Sequence, residues 1–261
     1  MNDIATSAVS VAGTVVAYAG QRAIDAVVDK VAAAIIRPCA ERRGHAFFHK
    51  LAEVLAGQVD GQVSPEAVGA ALDRVMADDP ARETVYEFYR KSVLSRSRET
   101  GPRLLALLAA RLVQERRIAT EAENEVAEVA ETCTDDDLKH FLAYFARIMG
   151  GEGLTDAERV RKESSGYLVR LRRETGASDW PFFLPTNPLS LYSELGAWAA
   201  KFERAGAVKQ RIKVDAHRYD DDPERHVDVS GVARQVEWFL WLGDACQDLF
   251  TLLPLATPRP G

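Results

Sequence analysis

Apolar residues recur at three- and four-residue spacing along most of this chain, a period that predicts amphipathic helix. Ile24, Val27, Val28, Val31 and Ile35 form one such stripe, and residues 1–36 read as one or two helices closed by Pro38. Phe47, Phe48, Leu51, Val54 and Leu55 mark a helix over residues 40–56. Ser64-Pro65-Glu66 starts the next, with serine as N-cap and proline at the first helical position, and it stops near Asp78-Asp79-Pro80. Four more stripes follow: Val85, Phe88 and Val93; then Leu104, Leu105, Leu108 and Leu112; then Val126, Val129 and Cys133; then Leu138, Phe141, Leu142, Phe145, Ile148 and Met149. Thr120 with Glu123 makes a capping box, and Thr134 caps the last helix. The short links between residues 81 and 149 predict an antiparallel bundle.

The character changes after Gly150-Gly151-Glu152-Gly153, the best candidate for a domain boundary. A charged helix is expected over 155–174. The segment Trp180–Pro188 holds three prolines and cannot be regular helix. A helix over 189–205 should stop at Gly206. Val208, Ile212 and Val214 suggest a strand within Ala207–Arg218, Asp220-Asp221-Asp222-Pro223 a turn, and His226–Val229 a returning strand. A final helix is expected over 231–250, apolar nearly all round. The fold expected is mainly α, an antiparallel helical bundle followed by a winged-helix-like part with a small antiparallel β-hairpin. Its divisions fall at 1–60 for the N-terminal helices, 61–150 for the bundle and 151–261 for the C-terminal domain.

Composition places the 261 residues among folded globular chains: 47% are hydrophobic and 28% charged. A net charge of −6 excludes a general polycation. The sign is uneven, however. Residues 120–137 hold eight acids and no base, whereas 155–218 hold twelve Lys or Arg against eight Asp or Glu. Cys39, Cys133 and Cys246 are widely spaced and form no C-x-x-C pair, which fits a reducing, cytoplasmic setting. Residues 4–21 carry no charge, and Ser10, Gly13, Thr14, Ala17 and Gly20 make a small-residue face there. Membrane contact through residues 4–36 is therefore one expectation, and packing in the protein's own core the other.

The chemistry-bearing candidates are few. Lys209, Arg211, Lys213 and Arg218 put positive charge on the presumed wing and are the candidate surface for an anionic partner. The helix ahead of that wing offers Ser190, Ser193, Glu194, Ala197 and Lys201, a poor set for reading base edges, so DNA remains the secondary partner. Glu41, His45, His49 and Glu53 share one helical face, a spacing open to metal ligation or to ordinary side-chain pairing. The chain has no G-x-S-x-G, P-loop or G-x-G-x-x-G, and no catalytic, cofactor-binding or metal residue is assigned.

The order of elements resembles the Abi-alpha type of bacterial abortive-infection proteins. The likeness rests on the Ala/Val-rich start leading to Arg37-Pro38, on Glu83–Phe88 through Leu104–Leu112 to Thr134–Phe141, and on Phe202–Val208 followed by Val227–Arg234. It implies a non-enzymatic phage-defence or stress protein working through protein contacts or self-association. It supplies no catalytic residues. A winged-helix DNA-binding regulator and a membrane-active effector are the competing expectations.

Overall fold

The computed structural model describes residues 37–57, 65–151, 160–176, 187–218 and 232–258. Six helices come first: α1 (Arg37–Leu55), α2 (Pro65–Ala77), α3 (Asp79–Leu94), α4 (Thr100–Glu115), α5 (Glu121–Thr132) and α6 (Asp135–Gly150). The second half runs β1 (Val160–Glu163), β2 (Gly166–Gly176), α7 (Leu191–Leu195), α8 (Ala197–Arg204), β3 (Val208–Arg218), β4 (Val232–Leu242) and α9 (Asp244–Ala256). The chain is mainly helical, with an antiparallel sheet in its C-terminal part, as the hydrophobic pattern predicts. The expected order of helix, strand, strand and helix is present as α8, β3, β4 and α9. Residues 4–36, on which the membrane expectation rests, lie outside the described residues. Among the described residues no helix is long and apolar enough to cross a membrane.

The bundle is organised around α4. Leu104, Leu105, Ala106, Leu108, Ala109 and Ala110 have no exposed surface, so this helix is enclosed on nearly every side. Each such leucine contributes about 1.5–3 kcal/mol relative to an exposed one. Its entry is tight. A Cβ on Gly101 would lie 2.5 Å from the Ala130 carbonyl and 2.6 Å from Ser95 Oγ, so only glycine lets α4 and α5 approach this closely. The Asp135 carboxylate, at the start of α6, ties down the preceding turn. It accepts from Ser97 Oγ (2.6 Å), from the Arg98 amide (3.0 Å) and from the Thr100 amide (3.1 Å).

Both predicted caps form. Thr120 and Thr134 each accept from the amide three residues on, and Glu123 and Asp137 return the bond. Asp137 also pairs with Lys201 of α8, which links the bundle to the C-terminal part. The core ignores the division at residue 150. Phe141 meets Phe202 with ring centroids 4.7 Å apart, and Phe145 meets Phe250 at 5.0 Å. Met149, expected on the buried face of α6, is instead 46% exposed, while its neighbour Ile148 is buried.

Three expectations in the second half are corrected. The charged helix over 155–174 is replaced by the hairpin β1–β2, with Val160 opposite Val169 and Glu163 opposite Gly166. The final helix over 231–250 is two elements, β4 and then α9, divided at Gly243. The helix over 189–205 is broken into α7 and α8 at Gly196, whose φ of +95° lies outside the helical region. The result is a four-stranded antiparallel sheet in the order β1-β2-β4-β3 rather than a two-stranded hairpin. The strand expected at 226–229 lies outside the described residues; the partner of β3 is β4, with Val208 opposite Leu242 and Val214 opposite Val236.

Candidate anionic-partner surface on the sheet

Alternation along the strands sorts the sheet into two faces. Val169, Val208, Leu240 and Leu242 point inward and join the core, and Trp238 donates from its indole to the Asn187 carbonyl at 2.9 Å. The opposite row is set by the register. Trp241 stands between Leu168 and Lys209, Phe239 between Arg170 and Arg211, and Glu237 between Arg173 and Lys213. Both aromatics are partly exposed, whereas their inward neighbours Leu240 and Leu242 are fully buried. Arg161 and Glu163 of β1 extend the same row.

Of the four residues expected to make this surface, Lys209, Arg211 and Lys213 occupy alternate positions on β3 and are exposed. Arg218 closes β3 opposite Val232, and only its backbone is described. Arg211 lies across the face. Its guanidinium sits 4.2 Å from the Trp241 ring centroid and reaches Glu163 at 3.2 Å. An exposed ion pair of this kind contributes about 0–1 kcal/mol, and the stacking contact about 0.5–1 kcal/mol, so the arm is weakly held. Arg161 shares Glu163 at 2.7 Å and draws that carboxyl below its ordinary range. Arg170 and Glu237 pair at 2.9 Å beneath the surface, nearly buried.

Lys209 reaches Glu125 of α5 at 3.3 Å, at the mouth of a cleft of about 510 Å³ where the sheet edge meets α5 and the start of α9. Arg117 closes the cleft on the bundle side. It binds Glu123 through two bonds of 2.6 and 2.7 Å, and it holds that 2%-exposed carboxyl down at about 2. Asp248, further in, is raised by burial and by the carboxylates of Glu123 and Asp244. The cleft thus ends the positive row with acids.

The remaining candidates resolve differently. His45 and His49 lie with ring centroids 6.0 Å apart, but Glu53 is bonded to Lys50 at 2.9 Å. Among the described residues no group of three or more His, Cys, Asp or Glu is placed to hold a metal. Cys133 is pushed up to about 12 by burial, and Cys246 is raised by the same cause, which keeps both thiols protonated near neutral pH. On α8, Trp198, Ala199 and Phe202 are buried against α6, and Lys201 is taken by Asp137. That helix is therefore anchored in the body of the protein.

Arg161, Arg170, Arg173, Phe239 and Trp241 were not legible as surface residues, because their segments read as helices. The signal was present in β4, where Val232, Val236, Trp238, Phe239 and Trp241 make a run rich in β-branched and aromatic side chains. No family model, no curated protein and no solved structure matches the chain.

Proposed function

We propose that this chain is a non-enzymatic recognition protein in which the helical bundle is the scaffold and the outward face of the sheet is the binding surface. The observation that carries this reading is the two-faced sheet. One face is locked into the core shared with α6, α8 and α9, and the other presents Lys209, Arg211, Lys213, Phe239 and Trp241 in register. A rigid backing that displays exposed charged and partly exposed aromatic side chains suits partner binding. The phage-defence or stress role rests on the Abi-alpha resemblance, and a cytoplasmic setting is supported by the three unpaired cysteines.

The test is charge reversal on the exposed row. The double variant Arg173→Glu, Lys213→Glu should keep the wild-type melting temperature and lose partner capture from cells, together with any protection against phage in a plaque assay. Full capture and full protection by the folded double variant would place the recognition surface elsewhere.

A further inference from the structure

We infer that the partner of the sheet face is single-stranded nucleic acid, a step that rests on the recognition-surface reading above. Five exposed cations of the outward row, Arg161, Arg173, Lys209, Arg211 and Lys213, meet three carboxylates, Glu163 and Asp215 of the sheet and Glu125 of α5, while Arg170 and Glu237 pair with each other beneath the surface. The balance is +2 on a protein whose net charge is −6, so positive charge has been concentrated on this one face. Charge alone would suit any polyanion.

The aromatics narrow the choice. Phe239 and Trp241 are alternate residues of a central strand and partly exposed, with Arg211 and Lys209 opposite them on β3 and Arg170 opposite Phe239 on β2. That is the arrangement that stacks unpaired bases while cations track the backbone. A duplex hides its base faces and gains nothing from it. Arg211 marks the same property. A guanidinium already lies on the Trp241 ring, in the place a base would take, and the exposed Glu163 contact holds it only weakly. When a base replaces it, the freed Arg211 can turn to a phosphate. The acidic cleft beyond Lys209 bounds the track at one end.

The experiment is fluorescence anisotropy of the full chain with a labelled oligouridine of about twelve nucleotides, long enough for one such platform. Salt is raised from about 50 to about 200 mM, and DNA of the same length and an RNA duplex are run beside it. The inference expects the single strands, RNA and DNA, to bind more tightly than the duplex, with affinity falling as salt rises. Trp241→Ala should weaken binding about tenfold. Because Trp241→Ala perturbs the packing around Gly166, the exposed double variant Arg173→Glu, Lys213→Glu is measured as well, and it should lose affinity while melting as wild type does. No binding at low salt, equal binding of the duplex, or an unaffected double variant would each overturn the inference. A protein captured by a photo-reactive residue at position 213, together with no binding of either single strand, would overturn it and leave the recognition-surface reading standing. Capture of nothing at that position would remove both.

Discussion

The helix α4 and the strand β4 occupy comparable positions, each at the centre of its half, yet they solve burial differently. In α4, leucine and alanine are enclosed on nearly every side, and the helix has little left to offer a partner. In β4 the alternation of the strand gives Val236, Trp238, Leu240 and Leu242 to the core and Gln235, Glu237, Phe239 and Trp241 to the other face. The contrast teaches where function can sit in this molecule. Substitutions in α4 are expected to act through stability, and substitutions on the outward row of the sheet through binding.

The largest effect expected is that of Phe141→Ala, which removes a fully buried ring in contact with Phe145, Trp198 and Phe202. A loss of about 3–5 kcal/mol should be seen in chemical denaturation. Because this ring belongs to both halves, helix signal at 222 nm and tryptophan fluorescence should still fall together. Separate transitions would show that the halves are less coupled than the shared core implies. Gly101→Ala comes next, at about 1–3 kcal/mol, since the new methyl must displace the Ala130 carbonyl or the Ser95 and Ser97 side chains. A neutral result in the same denaturation experiment would contradict the close approach of α4 and α5.

A smaller effect is expected from Glu123→Gln, and it depends on pH. Glu123 titrates in the folded protein at about 2, against an ordinary 4.5, chiefly because of Arg117. A lowered carboxyl stabilises the fold above its unfolded value, and that stabilisation is lost as pH falls from 4.5 toward 2. Melting temperature against pH should therefore drop less steeply over that interval in Glu123→Gln than in wild type. Parallel curves would mean that the Arg117 pair does not hold this carboxyl. The smallest effect on stability is expected from Arg173→Glu and Lys213→Glu, each within about 0.5 kcal/mol, because both side chains are exposed.

The same contrast explains what could be read in the sequence. The bundle was legible because a helix repeats its signal every turn and its ends carry chemistry. Thr120 with Glu123, and Thr134, announced two starts, and Leu104, Leu105, Leu108 and Leu112 announced the central helix. The sheet was half legible. Val208, Ile212 and Val214 of β3 suggested their strand, but β2 is bulged between Arg170 and Arg172, which breaks the two-residue period. In β4 the outward positions carry Phe239 and Trp241, so apolar residues fall on both faces and the run resembles a buried helix. The outward residues that were not legible are thus the ones whose aromatic side chains or bulged strand obscured the two-residue pattern. Lys209, Arg211 and Lys213 were found because β3 keeps polar residues on its outward side.

The central claim is that the sheet, and not the bundle, meets the partner. Its most direct test places a photo-reactive amino acid at position 213 on the sheet or at Tyr86 on α3, both exposed, and cross-links each in cells. The account predicts a specific adduct, of nucleic acid or protein, from position 213 and none from position 86. An adduct from position 86 alone would contradict it and move the recognition surface onto the helices.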